Sequence, residues 1–203
     1  MRDRRFAAAM AALALAAGCS IFEPGDPEDP DPSSFTWQQP YQYTTVISNL
    51  DVVMENLSPD FYMLCYDTSF VFIADEEDSS QFSWDFSNWD YIQEQTAINL
   101  IMGEAIAESS AVSVNFLEPS DPNLQDPVDY EDTIAVYRDY NIYFESSGYP
   151  AATGRAYIHM GKPAETSGLW SIYRWEDNRL EDHDPEEDLT WGVFKGYYLF
   201  TNL

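Results

Sequence analysis

Basic residues, histidine and cysteine are all scarce in this chain. Lysine and arginine number 9 against 36 aspartates and glutamates, for a formal charge of −27. A surface this acidic repels phosphate backbones and anionic lipid headgroups, which excludes nucleic acid as a partner on charge alone. The two histidines, His159 and His183, have no cysteines at zinc-site spacing beside them, so no structural zinc site is expected. Neither a glycine-rich phosphate loop nor a G-x-S-x-G elbow occurs. No cofactor is expected. The apolar run Phe6–Ala17 is shorter than the ~20 residues that cross a bilayer, which argues against a spanning helix there.

Apolar and aromatic side chains, by contrast, are plentiful. At 45% and 16% they are too many for a disordered chain and suit a single core at 203 residues. Ahead of Phe6–Ala17 stand Arg2, Arg4 and Arg5, the basic start of a signal peptide. The following Leu15-Ala16-Ala17-Gly18-Cys19 resembles a bacterial lipobox, with leucine one place earlier than in the commonest form. That resemblance implies a lipidated Cys19 as the mature N-terminus, attached to the membrane through its lipid only. Ser20 after the cysteine favours the outer membrane over the inner one. Residues 19–40 then alternate Pro24, Pro27, Pro30 and Pro32 with Glu23, Asp26, Glu28, Asp29 and Asp31. Proline stiffens and like charges extend such a segment, so it reads as a tether. The expected organisation is a leader over 1–18, a lipidated tether over 19–40 and one domain over 41–203.

Within the domain, Tyr43, Val46, Ile47, Leu50, Val53, Met54 and Leu57 recur at spacings of three and four, which predicts an amphipathic helix. Ser58-Pro59 predicts a capped second helix over Pro59–Cys65. Cys65 is the domain's only cysteine and is expected as a small buried hydrophobe. A strand is predicted at Phe70–Ala74, closed by an acidic turn at Asp75–Asp78. A helix should open at the capping-box pattern Ser87–Asp90 and run to about Met102. Alternation marks strands at Val112–Phe116 and through Ile134–Phe144, Arg155–Met160 and Trp170–Trp175, expected as an antiparallel sheet with one dry face. Trp191–Phe200 is expected as a final strand.

The order of long helix, short helix, strand, helix and long antiparallel strands, ending in Trp170-Ser171-Ile172-Tyr173-Arg174-Trp175-Glu176-Asp177, resembles the nuclear transport factor 2-like superfamily across about residues 41–200. The resemblance implies an α+β cone in which a curved antiparallel sheet wraps N-terminal helices around a central pocket. That superfamily includes isomerases, dehydratases, cyclases and many non-catalytic members, so the fold leaves function open. A catalytic set built from the residues themselves is Asp139, Tyr157 and His159 on the polar sheet face, with Tyr43 reaching from the first helix. The same face, with Tyr137, Tyr143, Tyr173 and Trp175, is alternatively a ligand surface or a homodimer interface. The run Glu176–Asp188 holds eight acids but lacks the spacing and glycine of a calcium loop, so a solvated loop is favoured. The leading expectation is a non-enzymatic envelope lipoprotein that binds a small apolar or aromatic ligand or a protein partner. A lyase or isomerase using Asp139 or His159 as base, and a structural homodimer, are the alternatives.

Overall fold

A computed structural model describes residues 35–164, 168–181 and 188–201. Cys19, the leader, the tether up to residue 34 and residues 182–187 of the acidic run lie outside these. Helix α1 (Tyr43–Glu55) buries Val46, Ile47, Leu50, Val53 and Met54, the predicted stripe. Helix α2 (Pro59–Met63) begins at proline, but its N-cap Ser58 makes no side-chain capping bond. Strand β1 (Tyr66–Ile73) starts earlier than predicted, and the acidic turn after it is helix α3 (Glu76–Phe82), capped by Asp75 accepting from the Glu77 amide.

Helix α4 (Tyr91–Ala107) has its capping box three residues along from the predicted one, at Asp90–Gln93. Asp90 accepts from the Gln93 amide while the Gln93 side chain returns to the Asp90 amide. Strands β2 (Val112–Leu117), β3 (Thr133–Phe144), β4 (Ala152–Gly161) and β5 (Ser171–Asn178) complete the sheet in the order β1-β5-β4-β3-β2. All neighbours are antiparallel except β1 and β5, which run parallel. The sheet is therefore mixed, a departure from the all-antiparallel expectation.

Two further expectations fail for definable reasons. Trp191–Phe200 is not a strand but helix α5, capped by the Thr190 hydroxyl accepting from the Val193 amide. Trp191, Val193, Phe194, Lys195 and Tyr198 are all buried, so the segment has no polar face to reveal a helical period. Trp175 does not share the polar face with Tyr173. A bulge in the β4–β5 ladder sets His159 opposite Arg174 and Met160 opposite Ile172, which inserts one residue and shifts the alternation. Before the bulge Trp170 and Ile172 point inward; after it Trp175 and Asp177 do, each 2% exposed. Arg174 is turned outward and pairs with Glu176 at 2.8 Å.

The core lies between the inner sheet face and helices α1, α4 and α5. Phe35–Pro40, read from composition as tether, packs on this domain. Phe35 and Trp37 meet the Phe61 ring, Asn49 donates to the Gln38 carbonyl at 2.7 Å, and Pro40 accepts from the Trp170 amide at 2.8 Å. Among the described residues no helix is long and apolar enough to cross a membrane.

Candidate functional site

The predicted catalytic residues lie on the outer face of the sheet. Arg155 grips Asp139 through two hydrogen bonds of 2.6 and 3.0 Å, consistent with their cross-strand pairing. Tyr157 stacks on Tyr137 with ring centres 4.3 Å apart, and His159 meets Tyr157 edge-on. His159 Nε2 is 3.0 Å from Glu176 Oε1, which also forms an ion pair with Arg174. Tyr173 sits beside His159, whereas Tyr143 lies towards the far end of β3 and is 42% exposed. Tyr43 is not with them. Its hydroxyl donates to Asp126 at 3.1 Å, beside the Arg138–Asp126 pair, and burial with the Asp126 charge pushes its pKa up to about 12. Tyr157 and His159 are thus in contact, while Asp139 lies opposite Arg155, four residues along the ladder from His159, and none of the three lines the clefts described below.

The inner face carries polar groups that alternation concealed. Glu94, in the first turn of α4, accepts from the Tyr62 hydroxyl at 2.7 Å, the Trp89 indole at 2.8 Å and Lys195 at 2.7 Å. Tyr66 donates in turn to the Tyr62 hydroxyl at 2.6 Å. The Lys195 ammonium rests 3.3 Å from the centre of the Phe72 ring. Burial pulls the lysine pKa down while Glu94 pulls it back, and burial raises both tyrosines well above their ordinary value. A second buried group forms where β3, β5 and α5 meet. Tyr140 donates to Asp177 at 2.6 Å and accepts from the Trp191 amide, and Gly192 donates to the other Asp177 oxygen at 2.7 Å. Burial still pushes the Asp177 carboxyl up to about 7, against those two donors. Packed side chains occupy the interior here, and the Trp175 indole beside Tyr140 has no hydrogen-bond partner among the described residues.

The larger concavity lies at the domain's edge. An open cleft of about 800 Å³ is bounded by Trp37, Gln39 and Pro40 from the N-terminal strap and by Met63, Leu64 and Tyr66 around the α2–β1 junction. Tyr91, Pro163 and the Leu169–Ser171 approach to β5 close the rest, with Asp67 and Thr68 at the rim. The strap is fixed by its Asn49 and Trp170 hydrogen bonds, so a backbone laid across the sheet edge builds this wall. Such a wall of aromatic and aliphatic groups with a few polar points suits a small organic molecule. A smaller depression of about 260 Å³ adjoins it and shares Asp67, Pro163 and Ser171. The sequence reading missed the cleft residues, although Tyr173, one of its outer-face candidates, lines the smaller depression. Its available signal was the change at Phe35-Thr36-Trp37 from acid and proline to aromatics.

No protein-family model and no curated protein matches this chain. Solved structures do. A nuclear transport factor 2-like protein of unknown function from Pseudomonas putida is similar over 73% of this chain and 91% of its own, at 9% identity and a TM-score of 0.50. Naphthalene 1,2-dioxygenase with indole bound is similar over 72% of this chain and 81% of its own, at 8% identity and a TM-score of 0.50. A structure from Bdellovibrio bacteriovorus matches 69% of this chain at 13% identity and a TM-score of 0.45, and the chain spans only 40% of that longer protein. Identities this low speak to the fold and not to chemistry. With its helices held against a curved, mixed, five-stranded sheet, this chain has the nuclear transport factor 2-like α+β fold.

Proposed function

We propose that the protein is a lipid-anchored component of the bacterial envelope that binds a small apolar or aromatic molecule in the cleft beneath the 35–40 strap. The observation that carries this is the cleft itself, about 800 Å³ with Trp37, Tyr66, Tyr91 and Trp170 in its walls. The lipobox-like sequence ending at Cys19 supports the anchor. Asp139 and His159 are engaged with Arg155 and Glu176 on the other side of the sheet, so this geometry lends no support to a reaction based on them.

The neutral dye N-phenyl-1-naphthylamine tests the cleft. The full chain should enhance its fluorescence, and Trp37→Ala should weaken binding about tenfold through lost aromatic contact while leaving circular dichroism unchanged. Equal binding by wild type and variant would overturn the placement. For the anchor, Cys19→Ser should abolish incorporation of labelled palmitate and release the chain from membranes; persistent labelling would refute it.

A further inference from the structure

Ser171 sits at the junction of the cleft and the adjoining depression. It is 6% exposed, lines both, and its Oγ has no hydrogen-bond partner among the described residues. A buried hydroxyl left unpaired is costly, and at a binding site a ligand is what satisfies it. Asp67 shares both linings. Its Oδ1 accepts from the Ser69 amide at 2.8 Å and the Ser69 hydroxyl at 2.5 Å.

The charge balance selects the ligand. Asp67 is the only charged side chain among the described residues of the cleft wall. The domain's six bases, Arg138, Arg155, Lys162, Arg174, Arg179 and Lys195, are each paired with a carboxylate. Lys162 lies in the adjoining depression, 3.2 Å from Asp132. An anionic ligand would meet only Lys162, whose ammonium already pairs with Asp132 and rests 4.9 Å from the centre of the Trp170 ring. A cation would find one carboxylate, the faces of several aromatic rings and a strongly negative molecule around them. A divalent metal ion needs about six oxygen ligands, and no cluster able to hold one occurs among the described residues.

We infer that the cleft takes an organic ammonium ion with a small apolar body, the ammonium held by Asp67 and Ser171 and the body by the aromatic walls. This rests on the binding reading above and assigns the ligand class.

The test uses the full-length chain carrying Cys19→Ser, titrated calorimetrically in near-physiological salt with 2-phenylethylammonium, neutral 2-phenylethanol and anionic phenylacetate. The ammonium should bind about tenfold more tightly than the alcohol, and the acetate least of all. Asp67→Asn should bring ammonium and alcohol to within about twofold, and Ser171→Ala should weaken both about three- to tenfold. Glu108→Gln, an exposed acid outside the cleft, should preserve the preference; if it does not, bulk charge and not Asp67 is responsible, and the inference falls. Equal binding of ammonium and alcohol, or of wild type and Asp67→Asn, overturns the ligand class and leaves apolar binding standing. Loss of the naphthylamine dye as well as all three probes would overturn the underlying reading too.

Discussion

Glu94 and Lys195 are each about 1% exposed, and neither charge would be tolerated there alone. Lys195→Met leaves the Glu94 carboxylate buried with only its Tyr62 and Trp89 donors, and should cost about 3–5 kcal/mol in urea unfolding. Adding Glu94→Gln to that variant removes the stranded charge and should recover most of the loss. If the double variant is as unstable as the single one, the lysine matters for packing and not for charge. Asp51 presents the opposite case, a half-buried carboxylate with no base nearby. Burial and the Glu55 charge push it up to about 6, with the Phe116 amide pulling the other way, and its Oδ1 has no hydrogen-bond partner among the described residues. A carboxyl whose pKa is raised by folding binds more protons folded than unfolded. Its favourable contribution is complete below about pH 4 and is lost as pH rises through 6. Asp51→Asn should therefore leave stability unchanged near pH 4 and raise it by about 1–2 kcal/mol at pH 8, the figure being reduced for partial exposure. A gain of equal size at both pH values would contradict the titration account. Asp177, raised in the same direction, should keep part of the pH slope in that variant.

Among the elements, those with one dry face were readable and those buried on several sides were not. The stripe of α1 and the alternation of β3 and β4 carried over directly, because each has a wet face that shows the period. Helix α5 hid its period by being buried nearly all round, and β5 hid its phase behind one inserted residue. Alternation put Tyr137, Asp139, Tyr143, Tyr157, His159 and Tyr173 on one face but wrongly added Trp175, and alternation cannot tell a convex face from a cleft. Composition classed the strap with the tether, which concealed the cleft wall. The same bulge that misplaced Trp175 also turns Asp177 inward to meet Tyr140 and the start of α5, so the junction of β3, β4, β5 and α5 depends on it. Gly154 lies opposite Tyr140 in the ladder, and a Cβ there would collide with the Tyr140 hydroxyl and approach the Asn178 carbonyl to 2.8 Å. Gly154→Ala should destabilise by about 1–3 kcal/mol from overpacking. Combined with Tyr140→Phe, which removes the colliding oxygen, the loss should be smaller than the sum of the two single losses. Strict additivity in a double-mutant cycle would mean that the glycine is required for some other reason.

For the whole molecule, the governing quantity is a formal charge of −27 on a chain whose six domain bases are already committed. Salt acts on two opposed terms. It screens the attraction within ion pairs, and it screens repulsion among the many acids that have no base. The pairs that matter most are sheltered: Lys195 with Glu94, Arg138 with Asp126 and Arg179 with Asp78 have side chains no more than 15% exposed. Screening between such groups is weak, while more exposed pairs such as Lys162–Asp132 contribute only about 0–1 kcal/mol each. The repulsive term is spread over the surface, where added ions act most strongly, and so it dominates the response. Raising sodium chloride from about 0.01 M to about 0.5 M shortens the screening length from roughly 30 Å to under 10 Å and should raise the melting temperature by several degrees. The rise should saturate once the length falls below typical spacings between surface acids, and choline chloride should match it wherever screening alone is responsible. A melting temperature that falls with salt would mean that the six ion pairs outweigh the repulsion of the unpaired acids, reversing the balance argued here.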